Sequence, residues 1–140
     1  MIRRDYILRM IEEIGKMIAA ILGLLKKGEI SQAQSLYAEG LKRAFDMDEN
    51  QMLDMGVDKL RFIFESKFGE SFEGLEVLAG LISKGGDIHL KDNNAEKAER
   101  CYLKALELYN LVELESQSFS FTRQADMLKV TQLIDQLKSV

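Results

Sequence analysis

The chain carries few residues whose types could do chemistry. Its 140 residues include one histidine, His89, and one cysteine, Cys101. His89 could serve as a general base, but no serine or cysteine nucleophile stands at a motif spacing from it. Cys101 has no second cysteine to pair with and no basic neighbour beyond Arg100, so a reactive thiol is not expected. Both residues are interpreted as structural side chains of a helical core, and the chain as non-catalytic.

Metal sites and disulfides need more of these residues than the chain has. A disulfide needs two cysteines and a zinc site several Cys or His ligands, so the sequence predicts neither within one chain. Asp46, Asp48 and Asn50 are spaced like the first ligands of a calcium loop. Gln51 and Val57 stand where that loop needs glycine and glutamate, so Asp48 and Gln51 are interpreted as a helix cap. We therefore expect no metal site and no cofactor.

The composition is that of one soluble globular domain, with 46% hydrophobic and 30% charged residues. The 23 acidic residues outnumber the 19 basic ones and give a net charge of −4. Nucleic-acid binding requires a basic surface, which this balance does not favour. A single free cysteine is typical of a reducing compartment. We expect a cytoplasmic protein that does not bind nucleic acid.

The first residues do not fit a signal peptide or a membrane span. Met1 to Arg4 begins like a signal peptide, but Asp5 and Glu12 precede the apolar run. The most apolar window, Ile14 to Leu25, is too short to cross a hydrocarbon core of about 30 Å. We expect no association with a membrane.

Steps of three and four between apolar residues predict helices almost throughout, and no segment alternates as a strand would. About six helices are expected in a single domain of residues 1–140. They run from Asp5 to Lys27, from Ser31 to Phe45, from Asp48 to just before Gly69, from about Ser71 to Lys91, from Ala95 to Glu115, and from the serine-rich joint 116–120 onward. Gly85 and Gly86 mark a weak point in the fourth helix. The last helix is predicted to turn its apolar residues inward, namely Phe121, Ala125, Leu128, Ile134 and Leu137.

A spaced set of small and aromatic residues organises the chain. Ala98, Tyr102, Ala105 and Leu106 follow one another at steps of four, three and one. This spacing resembles the second helix of the tetratricopeptide repeat, where small residues let two helices approach and an aromatic ring fills the gap beside the next helix. The same register is found earlier in the chain, at Ala33, Tyr37, Gly40 and Leu41. The better repeat matches therefore lie near 14–47 and 79–112.

The resemblance implies an array of antiparallel helix pairs, like a short tetratricopeptide solenoid, closed by a C-terminal capping helix. His89 departs from the repeat, which has tyrosine there, and Gly85 replaces a leucine. Residues 48–78 fit poorly and are either a degenerate middle unit or an insertion. Separately, the segment Asp5 to Glu12 resembles the start of an uncharacterised family of short bacterial helical proteins, which implies a bacterial cytosolic protein and no chemistry.

The function that the repeat resemblance implies is recognition of a partner protein or peptide in a groove, without catalysis. In the better repeat, the resemblance places Ser83, Asp87, Leu90 and Lys91 on the groove face of the first helix. A structural homo-oligomer and a small-molecule-binding helical bundle are the alternatives.

The first helix has more apolar surface than one neighbouring helix can cover. Gly15, Ala19 and Gly23 form a strip of small residues on it, which is interpreted as a tight packing seam against the second helix. We expect a homodimer, with folding back of the last helix as the alternative cover. The expected self-association face consists of Ile7, Met10, Ile11, Ile14, Met17 and Ile18.

Overall fold

A computed structural model describes residues 2–69 and 72–139, and these ranges contain seven helices and no strand. The helices are α1 (Ile2–Lys26), α2 (Ile30–Phe45), α3 (Glu49–Asp54), α4 (Val57–Phe68), α5 (Glu73–Lys91), α6 (Ala95–Ser116) and α7 (Phe121–Lys138). The all-α class predicted from the sequence is confirmed. Ser71, the predicted start of the fourth helix, lies outside the described residues. No helix in the described ranges is long and apolar enough to cross a membrane.

One predicted helix is two helices in the structure, which corrects the expected number of six. The helix predicted from Asp48 to Gly69 breaks at Met55 and Gly56, whose backbones are extended. The apolar spacing continues on both sides of the break, so periodicity alone did not reveal it. At the start of α3, Asp48 and Gln51 form the predicted capping box.

The core is built around α5, which packs most extensively against α6 and also contacts α1 and α2. Gly85 and Gly86 are buried because a tyrosine from each of two neighbouring helices lies on them. Tyr37 of α2 covers Gly85, and Tyr102 of α6 covers Gly86. The glycine pair is thus a site of close approach inside a continuous helix, and the predicted weak point is wrong.

The last helix is rotated relative to the prediction. Phe121 and Leu128 are 83% and 61% exposed, and Ala125 is exposed as well. Val130 and Ile134 face the core instead. Of the apolar residues predicted to lie inward, only Ile134 is buried and Leu137 half-buried.

Arg123 accounts for this rotation. Its side chain is 3% exposed and donates hydrogen bonds of 2.6 Å each to the carboxylates of Glu76 in α5 and Glu113 in α6. It also donates to the Ser118 carbonyl oxygen. A buried guanidinium needs such partners. Because Arg123 faces inward to reach them, the face of α7 that carries Phe121 turns toward solvent.

The strip of small residues on α1 is not a packing seam. Gly15 and Ala19 are exposed, and a Cβ added at Gly15 or Gly23 would meet no atom within 4 Å. The core contacts of α1 come from its large aliphatic residues, which are Ile7, Ile14, Ile21 and Leu25. The interpretation of the strip as a close contact with α2 is therefore wrong.

Candidate functional site

Two adjoining cavities of about 250 Å³ each lie between α1, α5 and α7. All three helices contribute side chains to both cavities, and Lys129 of α7 lines both of them. We call the two cavities together the α5 groove. The first cavity lies beside Ile18, Ser83 and Tyr109, and the second beside Leu22.

The four residues predicted to face a groove line this one. Ser83 lies in the first cavity, and Asp87, Leu90 and Lys91 lie in the second. Lys91 is exposed, and the other three are half-buried. The structure therefore brings the whole predicted set to one surface.

Asp87 is engaged within the fold. Its carboxylate accepts hydrogen bonds from the Tyr102 hydroxyl and, at 3.1 Å, from the Lys84 ammonium group. Burial and the Asp87 carboxylate together raise the pKa of Tyr102, so its hydroxyl stays protonated and donates. Because the Lys84 charge offsets its own, Asp87 positions the groove wall and adds little free negative charge.

The second cavity combines an apolar bottom with a positively charged rim. The rim lysines are Lys26, Lys91 and Lys129, and none of them forms an ion pair with a residue in the part of the chain that the structure describes. The apolar lining comes from Leu22, Leu25, Leu90 and Leu133. The second cavity is locally basic although the whole chain carries a net charge of −4.

The first cavity carries acidic groups in addition. Burial raises the pKa of the Asp126 carboxyl, Lys84 lowers it and Glu76 raises it, with a net upward shift. Burial also raises the pKa of Tyr109, so its hydroxyl remains protonated at neutral pH. The two ends of the α5 groove therefore differ in charge.

A second polar cluster lies on the other side of α5. It consists of Tyr37, Glu49, His89, Lys97 and Cys101, and we call it the Glu49 cluster. His89 Nε2 lies 2.9 Å and 3.0 Å from the two carboxylate oxygens of Glu49. Cys101 Sγ lies 3.5 Å from Glu49 Oε2, and Lys97 Nζ lies 3.4 Å from Glu49 Oε1. Four helices, α2, α3, α5 and α6, supply these side chains.

The electrostatics of the Glu49 cluster keep the carboxylate ionised. Burial alone would raise the pKa of Glu49. Its neighbours outweigh burial and bring the pKa down to about 2, through the His89 hydrogen bond, the adjacent Tyr37 hydroxyl and the charges of His89 and Lys97. An ionised carboxylate only accepts, so His89 Nε2 is the donor. Burial and the nearby Glu49 charge raise the pKa of the Cys101 thiol, which is the opposite of what a reactive thiol needs.

Sequence reasoning missed this cluster. From the sequence we interpreted His89 and Cys101 as separate structural residues. We assigned no role to Glu49, which lies between the capping residues Asp48 and Gln51. Glu49 lies 40 residues from His89 and 52 from Cys101. Such separations match no local motif, so only the packing of α3 against α5 and α6 brings the three together.

The expected self-association face is only partly available. Ile7 and Ile14 are 7% and 3% exposed and belong to the core of one chain. The remaining members are half-buried, namely Met10, Ile11, Met17 and Ile18. Ile18 and Leu22 lie beside α7 residues in the two cavities, and Leu22 is still 37% exposed.

No family model, no curated protein and no solved structure matches this chain.

Proposed function

We propose that the chain is a non-catalytic binding module that holds a peptide or a helix of a partner protein in the α5 groove. The observation that supports this proposal is that α1, α5 and α7 line the groove, whose second cavity has an apolar bottom and a lysine rim. In a tetratricopeptide-like array, α1 and α5 would be the first helices of their pairs and α7 the capping helix. The groove would then be the concave binding surface of that array.

The dimensions of the groove favour a peptide over a small molecule. Cavities for drug-sized ligands usually hold about 300–1,000 Å³ and enclose most of the ligand. Each cavity here is about 250 Å³ and opens along the groove. Two such cavities in series suit successive apolar side chains of one amphipathic helix, which presents anchors at helical spacing.

The charge of the rim favours acidic residues next to those anchors. Lys26, Lys91 and Lys129 surround the second cavity and have no competing ion pair among the described residues. The chain as a whole is acidic, so an acidic partner would be attracted at the groove and repelled elsewhere. Such binding weakens as salt screens the lysines.

Selection from a display library of helical peptides tests this function. We expect the selected peptides to combine leucine-like anchors with aspartate or glutamate. A double variant, Lys91→Glu with Lys129→Glu, should bind them at least about tenfold more weakly, the effect of losing rim charges that steer binding. The control Lys59→Glu changes an exposed lysine of α4 that lies outside the groove and should bind as wild type does. Binding insensitive to the double variant would contradict the proposal.

Self-association is the second function that we propose, and the N-terminal half of α1 supports it. Tyr6 and Leu8 are 59% and 40% exposed, and next to them Met10 and Ile11 are half-buried. A homodimer would cover this surface through a two-fold interface.

A further inference from the structure

We propose that Glu49, His89 and Cys101 bind a divalent transition-metal ion of the zinc class. Each residue offers one donor atom, and the three donor atoms lie within 4.8 Å of one another. The set combines a carboxylate oxygen, an imidazole nitrogen and a sulfur, which suits zinc. Calcium and magnesium prefer oxygen ligands alone. We expected no metal site because, from the sequence, we considered only Cys and His as zinc ligands and did not consider the Glu49 carboxylate.

The two donor separations that involve Glu49 are close to those of a tetrahedral site. Bonds of about 2.0 Å to nitrogen and oxygen and about 2.3 Å to sulfur place the ligand atoms of this set about 3.3–3.6 Å apart. Cys101 Sγ is 3.5 Å from Glu49 Oε2. His89 Nε2 is 2.9 Å from Glu49 Oε1, and all three donor atoms lie within 4.8 Å of one another, so side-chain movements of up to about 1 Å would admit the ion.

The Tyr37 hydroxyl is a second, independent observation that points to a ligand. Tyr37 is 5% exposed, and its hydroxyl makes no hydrogen bond of adequate geometry. It lies next to Glu49 and Cys101, and burial, together with the proximity of these two groups, raises the pKa of Tyr37. A buried hydroxyl without a partner is unfavourable. A water molecule in the fourth position of the ion would supply that partner.

Lys97 is the group that opposes the ion. Its ammonium group lies 3.4 Å from Glu49 Oε1 and already balances the carboxylate charge. The Lys97 side chain is 33% exposed, so it can turn toward solvent when the ion enters, at a cost in affinity. Removing its charge should therefore strengthen metal binding.

Metal binding at this site should be coupled to proton release. The titratable groups that face the ion are Tyr37 from α2, Glu49 from α3, His89 from α5, and Lys97 and Cys101 from α6. Cys101 binds as a thiolate and releases its proton, whereas His89 binds through Nε2 as the neutral tautomer that carries its proton on Nδ1. The affinity should consequently rise with pH.

The ion would hold α3 against the α5–α6 pair. Apart from the Glu49 cluster, Lys104 of α6 reaches this region and donates a hydrogen bond of 2.7 Å to the Met55 carbonyl oxygen. The bound ion would replace a network of hydrogen bonds by three ligand bonds from three helices. A metal-dependent rise of the melting temperature should follow.

Titration of the full chain with Co²⁺, with the cysteine kept reduced, tests the site. We expect one Co²⁺ per chain, a near-ultraviolet absorption band from sulfur-to-cobalt charge transfer, and visible bands of tetrahedral coordination. Added Zn²⁺ should abolish all of them. If circular dichroism shows a folded chain but no near-ultraviolet band develops, the proposal is overturned.

Variants locate the ion within the cluster. Cys101→Ser should remove the near-ultraviolet band, and His89→Gln should weaken Co²⁺ binding by about 100-fold or more. The control Glu96→Gln changes an exposed acid of α6 outside the cluster and should leave binding unchanged. Equal losses in the control and in His89→Gln would overturn the proposal.

Lys97→Gln tests the site even if the Cys101→Ser variant does not fold. Lys97 lies at the edge of the cluster, so this variant should remain folded, and it should bind Co²⁺ several-fold more tightly than wild type. An unchanged affinity in Lys97→Gln would overturn the proposal, because adventitious binding elsewhere would not respond to this charge.

Discussion

The ring of Tyr102 lies directly on the backbone of Gly86. A Cβ at Gly86 would stand 2.6 Å from Tyr102 Cε1, which is closer than carbon atoms can approach. On the side of α5 that faces α2, the ring of Tyr37 lies on the backbone of Gly85 in the same way. The two tyrosines and the two glycines thus set the distance of α5 from α2 and from α6.

Gly86→Ala should destabilise the protein although alanine is the better helix former. In an open helix the exchange stabilises by about 0.5–1 kcal/mol, whereas overpacking against a ring costs about 1–3 kcal/mol. Gly15→Ala is the matched control, since a Cβ there meets no atom within 4 Å, and it should stabilise. Urea unfolding of both variants decides the matter, and a stabilised Gly86→Ala would contradict the contact.

Tyr102→Ala should cost about 3–5 kcal/mol of unfolding free energy, because the side chain is fully buried. Tyr102→Phe keeps the ring and removes only the hydrogen bond to Asp87, so it should cost about 1–3 kcal/mol. Denaturant unfolding measures both values. A loss under about 1 kcal/mol for Tyr102→Ala would show that the ring does not support the core.

Arg123→Ala should destabilise far more than Arg61→Ala. Arg123 is buried and bridges Glu76 and Glu113, and breaking a buried pair costs about 3–5 kcal/mol. The two carboxylates are partly exposed, so the loss should lie toward the low end of this range. Arg61 is 35% exposed and pairs with Glu65 and Glu115, and such pairs contribute about 0–1 kcal/mol. Thermal unfolding should rank the variants in this order, and equal losses would contradict it.

The Glu49 cluster should make stability depend on pH in the acid range. The pKa of Glu49 falls from 4.5 to about 2 on folding, so the folded chain favours the ionised carboxylate. The resulting stabilisation is fully present above pH 4.5 and disappears as pH falls toward 2. Urea unfolding of wild type and Glu49→Gln should therefore differ most near neutral pH and converge in acid. A difference independent of pH would contradict the shift.

Static light scattering should give twice the mass of the 16.0 kDa chain. Leu8→Asp places a charge on the exposed part of α1 and should yield a folded monomer, since Leu8 is 40% exposed. Ile11→Asp should break the dimer or unfold the chain. Glu13→Lys, on the polar face, should do neither. A wild-type mass of 16.0 kDa would contradict the proposed self-association.

The sequence by itself determined the helices and part of their packing, because both depend on local spacing. The apolar steps of α1 predict its buried residues, and Asp48 marks a helix start that the structure confirms with a side-chain cap. The alanine–tyrosine register likewise indicated that Tyr102 is a core residue. Such features are decided within one or two helical turns, so they can be read along the chain.

The tertiary structure alone decided the rotation of α7 and the assembly of the Glu49 cluster. Arg123 reverses the apparent faces of α7 because its partners, Glu76 and Glu113, come from α5 and α6. Glu49 meets His89 across 40 residues of chain. Contacts of this kind depend on how whole helices pack against one another, and the spacing of residues within any single helix carries no information about them.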